Sequence, residues 1–185
     1  SRLLVEETDW IADPWECYQR LKAGPGRVLL ESARTGPSVG RYSILASDPF
    51  LVFRYENGKI TLETRRETPK SFKTNDPVGA LKDIFQKYRL EPDPSLPPFT
   101  VGAIGYFAYE CKNYIEYKKS SELGVRSSEN AFAVPEIYFL FFDRSAVWDH
   151  ETRRIHWCER SSRVGSGSSL ALRKWRDKLI EKKKN

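Results

Sequence analysis

VLLESARTGPSVGRYSILASDPFLVF, residues 28–53, decides how this chain is read. Two apolar runs rich in β-formers flank a loop that holds two glycines and a proline. The first run ends in Glu31-Ser32, and the second begins after Gly40-Arg41 with Tyr42-Ser43. Polar side chains therefore stand at the ends of strands otherwise built for a core. If the two strands are neighbours, Glu31, Ser32, Tyr42 and Ser43 converge on one rim. A carboxylate, hydroxyls and free strand-end amides suit an amino acid. Glu31 would face its ammonium, hydroxyls and amides its carboxylate, and Leu45 the side chain. The competing reading pairs Glu31 with Arg41 and uses the serines to cap turns.

Outward from this stretch, the pattern continues as strands with interspersed helices. Asp13-Pro14-x-Glu16 is a helix start, with Asp13 as cap, Pro14 in the first turn and Glu16 placed to close a capping box. That helix should end near Gly24-Pro25-Gly26, and residues 27–31 form a strand. Residues 41–55 and 59–64 flank Asn57-Gly58, a hairpin turn. Residues 65–75 read as a charged loop. Asp76-Pro77 repeats the helix start, and Leu81, Ile84, Phe85 and Tyr88 give the following helix one apolar face.

Four prolines between residues 92 and 98 end that helix. Residues 100–109 form a strand whose Gly102 and Gly105 imply close packing against another element. IYFLFFD, AVWDH and RIHWCE continue as a meander. Residues 161–169 are Gly/Ser-rich, a linker. A last helix puts Leu172, Trp175 and Leu179 on one face. No internal repeat is present. The architecture expected is α+β, two packed antiparallel β-sheets with flanking helices.

Composition narrows the function classes. The chain has 185 residues, 39% hydrophobic and 30% charged, a balance that fits a folded globular protein. The segment SRLLVEETDW is not a signal peptide, and no apolar run reaches the roughly 18–20 residues of a spanning helix. Cys17, Cys111 and Cys158 are odd in number and lack C-x-x-C spacing. They point to core thiols in a reducing, cytoplasmic compartment rather than to disulfides or zinc. The net charge of +6 comes mostly from residues 173–185, where seven Lys/Arg face Asp177 and Glu181. A solvated helix end explains this better than a nucleic-acid surface.

Catalytic signals are sparse. His150, in the turn DHETR, and His156, beside Trp157, are the two histidines, and both read as structural. There is no phosphate-binding glycine loop and no acidic run for magnesium. On its own residues the chain is a binding or scaffold domain rather than a catalyst.

LLESA (29–33), GRYSILASDPF (40–50), GAIGYFAYE (102–110) and IYFLFFDRSAVWDH (137–150) occur in the order and spacing of one family. Together they resemble the N-terminal domain of the large subunit, component I, of anthranilate synthase and aminodeoxychorismate synthase. The resemblance implies a parent enzyme that aminates chorismate with ammonia, free or supplied by a glutamine amidotransferase subunit. One branch eliminates pyruvate to give anthranilate for tryptophan. The other replaces the 4-hydroxyl by an amine, for folate; GRYSILASDPFLVF and FFDRSAVWDH lean to this branch. The family's Mg2+ ligands and acid–base residues lie in a C-terminal chorismate-binding domain. Residues 1–160 would be the tryptophan-pocket domain, and 161–185 the linker and helix leading on to that catalytic domain.

The resemblance thus implies no cofactor in this chain and no turnover by the fragment alone; the residues themselves add the expectation of no nucleic-acid or membrane partner. It also implies an L-tryptophan site between the sheets, lined here by Glu31, Ser32, Tyr42, Ser43 and Leu45. A stand-alone amino-acid-binding module is the alternative of another class.

Overall fold

The stretch 28–53 contributes to three strands, not two, and they go to two different sheets. The computed structural model describes residues 2–24, 26–33, 39–111, 134–161 and 169–181. In chain order the elements are β1 (Arg2–Asp9), α1 (Pro14–Arg20), β2 (Arg27–Leu30), β3 (Tyr42–Ser47), β4 (Leu51–Glu56), β5 (Lys59–Thr64), β6 (Lys70–Lys73) and α2 (Pro77–Lys87). They are followed by β7 (Gly102–Phe107), a 3-10 turn at Tyr109–Cys111, β8 (Ile137–Phe142), β9 (Arg144–Asp149), β10 (Arg154–Ser161) and α3 (Leu170–Ile180).

The strands make two five-stranded sheets, ordered β1-β10-β9-β3-β2 and β6-β5-β4-β8-β7. The fold is α+β, with antiparallel sheets and three helices among the described residues. The chain forms two compact units, each holding one sheet. It leaves the first sheet after Ser47 and returns to it at Arg144. The 41–55 run, expected as one strand, breaks at Asp48-Pro49-Phe50, where Asp48 takes φ 58. The expected meander breaks likewise, with β8 in one sheet and β9 in the other.

In the first unit, β9 is central, pairing Leu45 of β3 with Ala146 and Val147 of β9 with His156 of β10. Leu45, Ala146, Trp148, Ile155 and Trp157 form a core with Cys17 and Leu21 and with Leu172 and Leu179 of α3. α3 is thus part of this unit's interior. Three indoles run through the core edge to face, Trp148–Trp157 at 6.1 Å and Trp157–Trp175 at 6.2 Å. Each indole N–H has an acceptor: Ala12 O at 2.8 Å, Thr8 Oγ1 at 2.9 Å and Ser47 Oγ at 3.1 Å. Satisfied donors are what make such large amphipathic rings tolerable inside. The other face of this sheet is also covered, since Ala46, Val147 and Cys158 are buried and Ser145 Oγ donates to Thr100 O.

In the second unit, Asn57 (φ 51) and Gly58 (φ 76) make the expected two-residue hairpin turn between β4 and β5. Asp76 caps α2 through Gly79 N–H at 2.8 Å, and Leu81, Ile84 and Tyr88 pack on Phe53, Ile137 and Phe141. A Cβ on Gly105 would lie 2.1 Å from Tyr138 O, so the expected close packing is real there. Gly102 serves its backbone instead, at φ 146.

Three local expectations are corrected. Part of the charged loop at 65–75 is β6, an exposed edge strand that pairs with β5 and carries Lys70 and Lys73 at its ends. α1 stops at Arg20, before the Gly/Pro cluster. Asp13 does cap it, accepting from Trp15 N–H at 2.9 Å, but Glu16 pairs with Arg20 at 3.0 Å rather than closing a capping box. Of the expected linker at 161–169 and the expected loop at 33–40, residues 162–168 and 34–38 lie outside the described residues, while Ser161 ends β10 and Ser169 caps α3.

Candidate functional site

The antiparallel register of β2 on β3 sets Leu29 opposite Leu45 and Leu30 opposite Ile44. Extended past Leu30, it brings Glu31 to Ser43, whose Oγ donates to Glu31 Oε1 at 3.3 Å. On its other side Ser43 is opposite Trp148 of β9, and the turn after β9 carries His150. His150 Nε2 lies 2.7 Å from Ser43 Oγ. The His150 backbone N–H donates to Arg41 O at 2.8 Å, which pins the turn to the start of β3. Trp10, just past β1, meets the His150 ring edge to face at 5.0 Å. The Arg153 guanidinium covers Trp10 at 3.8 Å, from a left-handed backbone position at φ 58.

Beside this cluster Arg41 makes a fork with Asp149, Nε to Oδ1 at 3.0 Å and Nη2 to Oδ2 at 2.7 Å. Its third nitrogen reaches Glu151 Oε2 at 2.9 Å. Asp149 Oδ1 also accepts from the Glu151 N–H at 3.0 Å and the Thr152 N–H at 3.4 Å. Burial pushes the Asp149 carboxyl up, but the Arg41 guanidinium and the turn donors outweigh it and hold it down at about 2. The hydrogen bond that Arg41 donates to Asp149 raises Arg41 in turn. Arg41 is therefore committed to Asp149 and Glu151, and the sequence alternative that paired it with Glu31 is overturned.

Of the five residues expected to line a ligand, the structure brings Glu31 and Ser43 into contact. Glu31 and Ser32 are exposed at the rim. Ser43 is 1% exposed and gives its one O–H to Glu31, so it stands behind the carboxylate. Tyr42 is opposite Asp149 on the other face of the strand, with Arg41 over its ring at 5.0 Å. Leu45 is wholly buried in the core beneath α1 and α3.

His150 is the partner that sequence reading missed. It is 107 residues from Ser43, and only the shared membership of GRYS and WDH in one motif set pointed to it. A carboxylate–serine–histidine order with the serine buried does not present a nucleophile, which must be reachable and hand its proton to the base. His156, by contrast, is buried in β10 with Nδ1 3.6 Å from Glu7 Oε2. Among the described residues no group of three His, Cys, Asp or Glu is placed to hold a metal. No described helix is long and apolar enough to cross a membrane.

Fold and rim together define an α+β module with an exposed carboxylate braced from behind by a buried serine and a histidine. Sequence and fold both make the chain homologous to part of component 1 of the anthranilate synthases and aminodeoxychorismate synthases. It is 32% identical over 143 residues to anthranilate synthase component 1 of Acetivibrio thermocellus, covering 77% of this chain and 28% of that protein. To aminodeoxychorismate synthase component 1 of Bacillus subtilis it is 38% identical over 128 residues, 69% of this chain and 25% of that protein. The crystal structure of anthranilate synthase component I from Streptococcus pneumoniae superposes with a TM-score of 0.53 at 26% identity, covering 92% of this chain and 34% of that one. No protein-family model matches the chain. The chain spans about a quarter of the length of the curated relatives named here.

Proposed function

We propose that this chain is the N-terminal, non-catalytic domain of component 1 of an aminodeoxychorismate synthase, whose parent enzyme aminates chorismate for folate synthesis. The observation that carries the branch is the 38% identity to the Bacillus subtilis protein, against 32% for the Acetivibrio anthranilate synthase. The second reading is the same domain of an anthranilate synthase, favoured by the longer match to that relative and by the Streptococcus structure. In either, the chorismate site, Mg2+ and the acid–base residues belong to the remainder of the parent protein. A glutamine amidotransferase, component 2, supplies the ammonia.

The rim is the L-tryptophan site of this domain: of the five residues expected there, Glu31 and Ser32 face the ligand, Ser43 stands behind Glu31, and Tyr42 and Leu45 take no direct part. Glu31 supports the reading, because an exposed carboxylate held from behind is suited to an ammonium group. Bound tryptophan regulates only by favouring one arrangement of the parent enzyme over another.

The test is to read the coding sequence past Asn185 and assay the full protein with chorismate and ammonia. Aminodeoxychorismate as product supports the folate branch, and anthranilate moves the chain to the other. A frame that stops at Asn185, in a chain that binds L-tryptophan by calorimetry, makes it a stand-alone amino-acid-binding module instead.

A further inference from the structure

We infer that His150 is a positioning residue for the ligand carboxylate Glu31, acting through Ser43 in a one-way hydrogen-bond relay. The inference rests on the reading of the rim as an amino-acid site. The direction of the relay follows from donor counting. An ionised Glu31 only accepts, and Ser43 has a single O–H, which it gives to Glu31 Oε1 at 3.3 Å. The contact between Ser43 Oγ and His150 Nε2 at 2.7 Å must then be a donation from the ring. In its neutral form the ring then has its proton on Nε2.

Every part of the relay behind Glu31 is fixed. Ser43 is buried, the His150 backbone is tied to Arg41 O at 2.8 Å, and its ring is held by Trp10 at 5.0 Å. The Arg41–Asp149 fork locks the turn that carries His150. Only Glu31, the end of the relay, is exposed. A carboxylate on the first residue past a strand is otherwise free to swing. Holding one of its oxygens leaves the other to meet an ammonium in a set direction.

The test uses the whole chain and two readouts. Long-range proton–nitrogen NMR at about pH 8.5, where an ordinary imidazole is neutral, reads the His150 tautomer directly. Calorimetry compares L-tryptophan with indole-3-propionate, which keeps the ring and carboxylate and lacks the ammonium. The expected results are an Nε2–H tautomer and a loss of about tenfold in L-tryptophan affinity in His150→Ala, with indole-3-propionate unchanged. His150→Gln, which can place an N–H near the Nε2 position, should restore most of the loss. An Nδ1–H tautomer overturns the relay whatever the chain binds. Equal weakening of both ligands in His150→Ala reduces His150 to a structural role and overturns the inference. An Nε2–H tautomer in a chain that binds no tryptophan refutes the amino-acid reading while the relay stands.

Discussion

Asp149→Asn offers the sharpest test of how the rim is held. The substitution keeps an oxygen for the Glu151 and Thr152 amides but puts a neutral amide against the Arg41 guanidinium. The Asp149 side chain is 4% exposed, and its carboxyl drops from 3.8 to about 2 in the folded protein. Such a shift corresponds to about 2 kcal/mol at neutral pH. Arg41 is 40% exposed, so water screens part of the attraction, and about 1–2 kcal/mol is the expected loss. Because the folded value is depressed, this stability is fully present above the unfolded value of 3.8 and is lost as pH falls through about 2.

All five tryptophans lie in the first unit, so their fluorescence follows that unit selectively during urea unfolding. The difference between wild type and Asp149→Asn should be near its maximum at pH 7 and shrink steadily once the medium is more acidic than about pH 4. A difference that stays constant across that range, or is absent at pH 7, would refute the claim that the fork stabilises the ionised carboxylate.

Gly105→Ala should cost about 1–3 kcal/mol, because its Cβ meets the Tyr138 carbonyl and the Cα and ring root of Phe139 rather than the far end of a flexible side chain; an unchanged melting temperature by circular dichroism contradicts the close approach. Leu172→Ala, at a position fully buried against the first sheet, should cost about 2–5 kcal/mol in the tryptophan-monitored transition, whereas an independent C-terminal helix would lose almost nothing. Burial pushes the Cys17 thiol up to about 11 and Cys158 to about 12, so both should resist a disulfide reagent at pH 8 until urea is added. Rapid labelling of either in the folded chain would show that the core around α1 or β10 is open.

Much of the fold was legible because its signals are local. Asp13-Pro14 and Asp76-Pro77 start helices, since a carboxylate cap and a proline in the first turn act within one turn. Asn57-Gly58 makes a hairpin because both residues accept positive φ. β6 escaped notice because KSFK buries none of its side chains and exists through its ladder to β5. The rim was half legible. Glu31 and Ser43 sat in one quoted stretch and do meet, but Tyr42 and Leu45 are sent elsewhere by the two-residue alternation of β3 and by the depth of the core.

By itself, then, the sequence determined most element types, the Asp caps, the hairpin turn, the apolar faces and the kinship with component 1. Each of these depends on neighbours a few residues apart or on motif order. Only tertiary structure decided the sheets. The breaks at Asp48 and Asp143 look like minor interruptions in continuous apolar runs, yet each separates strands of different sheets. Strand partners are chosen by hydrogen-bond ladders between distant segments, and no local pattern records which ladder a strand will join. The same holds for Arg41 with Asp149 and Ser43 with His150, 108 and 107 residues apart. Pairing β3 with β9 creates both contacts at once, which is the physical reason that GRYS and WDH work as a single unit.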